Sequence, residues 1–277
     1  MEPDPFRSIK MKIGWGRTQL GYLGQAIDSL YAGGPYPVVF EDADIAGYRA
    51  MKVGRVEQAR IDLIACRLGD AVHAFRSALD HFAYMAAGGD KLSISERQQV
   101  DFPIWRKPQA VQWQQWAKMV RCKVPNSSER LYKALEALQP YERGKDADLW
   151  ALDYLDNADK HRALVVLEAA FQGLFTERTA WDAAYAASTP GLLDIGPQQI
   201  QRHAGHVHTD VGIFPVQEGD VILTYPVGAY NEAFEPDLPV EIVFGEPPAF
   251  RGESIVPIMT RITNATEDTL LRLAKLL

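Results

Sequence analysis

Apolar residues recur every three to four positions over 5–31, where Phe6, Ile9, Ile13, Leu20, Leu23, Ile27 and Leu30 mark one face of a helix. Ala32-Gly33-Gly34-Pro35 ends it. The period then falls to two. PVVFEDAD and IAGYRAMKV, within 37–54, predict a β-hairpin. A second long helix is expected over 57–86, stopped by Gly88-Gly89. Residues 88–107 read as a loop with a short extended piece at DFPIW. Helices follow at 108–119 and 127–138, the second capped from Asn126-Ser127-Ser128 with Glu129 near a capping-box position. Asp146 or Asp148 caps another helix that runs to His161.

Beyond Ala163 the pattern turns strand-like at ALVVLEAAF. The stretch 175–205 has no clear period. Strands are expected at 206–214, 220–226 and 238–246, and a helix closes the chain over 254–277. Helices thus precede strands, which predicts an α+β fold: a helical bundle with an inserted β-hairpin, then a small antiparallel sheet and a C-terminal helix. The corresponding domain division is 1–162, helical, and 163–277, mostly β with its closing helix.

Two polar stripes interrupt this apolar pattern. The first is Asp70, His73, Arg76, Ser77, Asp80, His81 and Tyr84. At roughly 100° per residue it occupies a band of roughly 140° on one helix face. Phe75, Leu79 and Phe82 lie on the opposite side. A solvated face would carry Lys and Glu, and none occurs between Arg60 and Asp90. The second stripe is Asp153, Asp156, Asn157, Lys160 and His161. Short titratable side chains in both places suggest the walls of one cleft. Lys160, His161 and Arg162 also suit a helix C-terminus, where the macrodipole favours cations.

Arg76 and His81 suggest phosphodiester chemistry. A guanidinium stabilises phosphoryl charge and an imidazole moves a proton near neutral pH. An RNA 2′-hydroxyl supplies a nucleophile without a metal. A structural explanation competes: Arg76 with Asp80, and Ser77 with His81, are i,i+4 pairs that can simply bond along the helix. His73 and His81 are about 12 Å apart along the axis, too far to share one ion.

The segment RSALDH, Arg76 to His81, resembles the Arg-x4–6-His motif of the HEPN superfamily. That resemblance implies a helical bundle, metal-independent ribonuclease activity in a toxin–antitoxin or phage-defence setting, no cofactor, and a homodimer whose motifs face each other. It implies Arg76 and His81 as the catalytic pair with Asp80 beside them. His73, Ser77, Tyr84, Asn157, Lys160 and His161 would bind substrate. Ser77 departs from the Asn, Asp or His common after the family's arginine. GDAVHAFRSALDHFAY, FPIW, LQPYERG and DNADKHR also resemble a set of uncharacterised bacterial proteins. The alternative is a non-catalytic ligand-sensing or interaction module.

Charge and composition narrow the partners. The net charge of −7 argues against broad nucleic-acid binding but leaves RNA or a small anionic ligand at a local cleft. Trp113 and Trp116, followed by Lys118, Arg121 and Lys123, form the one basic-aromatic segment. Packing of that helix on its neighbour explains the same pair. His206, His208 and Asp210 share one strand face and offer a second, metal-binding candidate. No apolar run reaches the length of a membrane span. The first residues lack a signal-peptide core, so a cytoplasmic protein is expected. Cys66 and Cys122 have no metal spacing, and Cys66 is expected in the core.

Overall fold

A computed structural model describes residues 4–34, 36–55, 57–106, 112–162, 167–171, 174–177, 200–203, 206–209, 215–233, 240–245 and 250–277. The chain is α+β. It divides into two compact units: residues 1–25, 63–165 and 255–277 form the first, and residues 26–62 and 166–254 the second. The division follows the strands rather than chain order. The hairpin falls with the other strands, and the closing helix falls with the helices.

The first unit is helical. It takes most of α1 (Arg7–Ala32) and of α2 (Gln58–Ala86), then α3 (Ile94–Arg97), α4 (Trp113–Lys123), α5 (Glu129–Leu138), α6 (Ala147–Arg162) and α7 (Ile255–Ala274). Its core is the apolar side of α2, where Ile64, Leu68, Phe75 and Leu79 are fully buried, with Leu149, Leu152 and Leu155 of α6 and Ile262 of α7. Gly16 lets α1 approach: a Cβ there would lie 2.9 Å from the Phe75 ring. Arg17 of α1 bonds Glu267 of α7 at 2.7 Å. Ser128 caps α5 by accepting from Leu131 N–H, and Gln139, at φ 52°, ends it. The short α3, with a full capping box from Ser93 and Glu96, lies inside the expected loop. Cys66 is exposed rather than buried, because it lies roughly 200° around α2 from Ile64.

The second unit holds the strands. β1 (Val38–Asp42) pairs antiparallel with β2 (Tyr48–Val53), as the hairpin pattern predicts, and β2 pairs with a later strand, β7 (Val221–Pro226). Phe40 stacks on Tyr230 at 5.9 Å. Arg49 of β2 makes a bidentate bond to Glu232, 2.8 Å on each side, and Tyr225 of β7 donates to the same carboxylate at 2.7 Å. β3 (Leu167–Phe171) pairs with β8 (Val240–Phe244). β4 (Leu174–Glu177) and β5 (Ile200–His203) flank β6 (His206–Thr209) in an antiparallel sheet, and both lie in the stretch without a clear sequence period.

Candidate functional site

The two polar stripes meet inside the helical unit. As α2 advances through Gly69, His73 and Arg76, its partners on α6 step back through Asp159, Asp156 and Asp153. The helices therefore run antiparallel and touch about once per turn. At the first contact the two helices come close: a Cβ on Gly69 would lie 2.4 Å from an Asp159 carboxylate oxygen, so the Asp159 side chain would have to turn aside.

Arg76 is the centre of this seam and is only 2 % exposed. Its Nε donates to Asp153 Oδ1 at 2.9 Å, Nη1 to Asp80, and Nη2 to the Phe102 carbonyl at 3.3 Å. Phe102 N–H in turn donates to Asp80 Oδ1 at 2.9 Å. The piece DFPIW, expected to be extended, forms no strand: Phe102 bonds side chains of α2, Trp105 N–H donates to the Pro140 carbonyl at 3.1 Å, and residues 102–105 are buried. Arg106, just beyond, makes two 2.6 Å bonds to Asp153. Asn157 donates to the Asp153 backbone carbonyl at 2.6 Å and to Oδ2 at 3.2 Å. Lys123 lies 2.7 Å from Asp101.

Electrostatics follow from this packing. Burial opposes the Arg76 charge, but facing Asp80 and Asp153 outweigh it and hold its pKa above the ordinary arginine value. Burial pushes the Asp80 carboxyl up, against the pull of Arg76. The hydrogen bonds to Asp153 raise Arg106.

A second cluster lies one turn away. Asp156, 3 % exposed, faces His73 Nδ1 at 3.1 Å through Oδ1 and accepts from Lys160 Nζ at 2.6 Å through Oδ2. Against an ionised Asp156 carboxylate, which only accepts, a hydrogen bond at this contact is one that His73 Nδ1–H donates. Ser77 Oγ lies 3.5 Å from His73 Nε2, so it turns to the imidazole one turn behind it and not to His81. Hydroxyl, imidazole and buried carboxylate stand in the order of an activated nucleophile. Ser77, however, sits in mid-helix, where backbone N–H groups are bonded within α2 and supply no oxyanion site.

The remaining candidates separate from these clusters. His81 is half-buried and makes no hydrogen bond among the described residues. Tyr84 donates to Asp90 at 2.9 Å and joins neither cluster. The side chain of His161, and Asp210 with the side chains of His206 and His208, lie outside the described residues. Among the described residues no group of three or more His, Cys, Asp or Glu could hold a metal ion. Trp116 is buried and donates to the Glu136 carbonyl at 3.0 Å, packing α4 on α5, while Trp113 is exposed. No helix among the described residues is long and apolar enough to cross a membrane.

Sequence pattern located the stripes but missed Arg106, Asp101 and Phe102. These lie in an irregular segment, where no helical or strand period assigns a side chain to a face. Comparisons with known protein families, with curated proteins and with solved structures find nothing that matches this chain.

Proposed function

We propose that this chain is a ligand-sensing or interaction module, in which the α2–α6 seam braces the helical unit and His73, Ser77 and Lys160 form a solvent-facing recognition patch. The burial of Arg76 carries this reading. A guanidinium that is buried, with each of its three nitrogens bonded inside the chain, is withdrawn from a phosphate in solvent. Electrostatics agree. Among the described residues, Asp70, Asp80, Asp101, Asp153, Asp156 and Asp159 outnumber Arg76, Arg106, Lys123 and Lys160 along the seam. A polyanion meets net repulsion there.

The direct test is thermal unfolding against a panel of nucleotides, amines and neutral metabolites. A compound that raises the midpoint of the wild type but not of His73→Ala/Lys160→Ala supports the patch. Equal shifts in both chains place the ligand elsewhere.

Metal-independent ribonuclease activity is the second reading, favoured by His81. His81 makes no hydrogen bond among the described residues, and Arg106, with a half-exposed side chain, is the guanidinium nearest to solvent on this seam. Incubation with total RNA in EDTA separates the two. Cleavage lost in His81→Ala would establish the ribonuclease; no cleavage by the wild type leaves the sensing module.

A further inference from the structure

We infer that Ser77 is a nucleophile that takes an acyl group from an activated ester, with His73 as its base and Asp156 positioning the imidazole, resting on the proposed reading of His73, Ser77 and Lys160 as a solvent-facing patch.

The orientation of the hydroxyl sets Ser77 apart. Helical hydroxyls elsewhere in this chain bond backward along their own helix: Thr18, Thr260, Thr263 and Thr266 each donate to the carbonyl four residues earlier, at 2.7–3.0 Å. Ser77 does not. Among the described residues its partner is the His73 imidazole, 3.5 Å from Oγ to Nε2. That separation is loose for a hydrogen bond, as nucleophile–base pairs are before a substrate seats. The other ring nitrogen, Nδ1, lies 3.1 Å from Asp156 Oδ1, and Lys160 holds Oδ2 of the same carboxylate at 2.6 Å. Both nitrogens thus have a role. Nδ1–H faces a carboxylate, and Nε2 turns its lone pair to the hydroxyl. Asp156 is 3 % exposed and reaches the ring from α6, while the His73 side chain is 51 % exposed. The relay runs outward from the buried seam, and its base meets solvent.

The step balances between chain and donor. Ser77 Oγ forms a bond to the acyl carbon as its proton passes to His73 Nε2. The carbon–oxygen bond to the leaving group breaks, and the leaving oxygen departs with the bonding pair and takes up that proton. What α2 lacks sets the substrate class. Mid-helix Ser77 has no free backbone N–H to receive an oxyanion, and one such donor is worth about 10²–10³ in rate. A base at Nε2 contributes about 10²–10⁴. The relay therefore serves acyl donors with a good leaving group, such as aryl esters, and not amides. For the same reason the product, an unactivated serine ester, persists on the chain instead of turning over.

Incubation of the full chain with p-nitrophenyl acetate, followed by peptide mass spectrometry, tests this. Acetyl should accumulate on Ser77 about tenfold or more faster than on Ser95, an exposed serine whose Oγ faces Ser93 and no imidazole. His73→Gln, at an exposed position, should fold and bring Ser77 down to the Ser95 rate. Asp156→Asn should slow Ser77 and, in the same sample, shift His73 towards its Nε2–H tautomer by ¹⁵N NMR. A tautomer shift that leaves labelling unchanged removes Asp156 from the relay. Labelling of Ser77 no faster than of Ser95, or unchanged in a folded His73→Gln chain, overturns the inference. A compound that stabilises the wild type through His73 and Lys160 while Ser77 stays unlabelled also overturns it, and keeps the recognition patch.

Discussion

Arg76 on α2 and Asp153 on α6 form a buried ion pair, Nε to Oδ1 at 2.9 Å, with side-chain exposures of 3 % and 2 %. Neither charge faces bulk water. Each has further partners: Asp80 and the Phe102 carbonyl for the arginine, Arg106 and Asn157 for the aspartate. Buried charges persist only when paired and hydrogen-bonded in this way, because desolvation costs several kcal/mol per ion. The pair therefore fixes which turn of α2 meets which turn of α6, and with it where His73 meets Asp156.

Two glycines on α1, two residues apart, should respond oppositely to alanine. Gly14 faces open space, so Gly14→Ala should stabilise by about 0.5–1 kcal/mol through helix propensity and a less flexible unfolded chain. Gly16 meets the Phe75 ring, so Gly16→Ala should destabilise by about 1–3 kcal/mol through overpacking. Urea denaturation at dilute concentration measures both. Equal signs would show that α1 does not pack as described.

Asp159 should make the fold sensitive to pH. Burial, then the carboxylates of Asp156 and Asp70, hold its pKa above the ordinary value. The folded chain thus binds this proton more tightly than the unfolded chain does. Stability from this group is greatest below the unfolded pKa and falls as pH rises through the folded one. Asp159→Asn should stabilise at pH 7 by about 0.5 kcal/mol or less, since the site is partly solvated, with the gain vanishing below about pH 4. Urea midpoints at the two pH values check it, and a variant weaker than wild type at pH 7 contradicts it.

The His73–Asp156 contact predicts a tautomer. Neutral His73 should carry its proton on Nδ1, facing Asp156, which leaves Nε2 to accept from Ser77. Asp156→Asn should release that preference. Long-range ¹⁵N NMR of the imidazole reads both states, and a dominant Nε2–H form in the wild type would refute the contact.

Much of this architecture was legible in residue patterns, because both helical and strand periods report burial directly. The long apolar faces of α1, α2 and α7 and the β1–β2 hairpin follow from them. The first stripe was legible for the same reason: Asp, His and Arg at core-like spacing without Lys or Glu differ from an ordinary solvated face. Which charge meets which was not legible. Arg76 and Asp153 are 77 residues apart, and only the antiparallel packing of their helices brings them together. The short motif around Arg76 and His81 was visible too, yet motif spacing carries no information on exposure. The Phe102 carbonyl accepts from Arg76, and Arg106 shares its Asp153 partner, both from a segment without period.

The central claim is that Arg76 braces the seam, and a double-mutant cycle on Arg76 and Asp153 by urea denaturation tests it most directly. Arg76→Ala and Asp153→Ala should each destabilise by about 1–3 kcal/mol, because each removes a buried partner from the network and leaves hydrogen-bonding groups unmatched, while Arg106 still meets Asp153 and Asp80 still meets Arg76. The double variant should lose at least 1 kcal/mol less than the two single losses added together. Single variants within about 0.5 kcal/mol of wild type, with additive effects, would contradict the account and return Arg76 to the role of a ligand-facing residue.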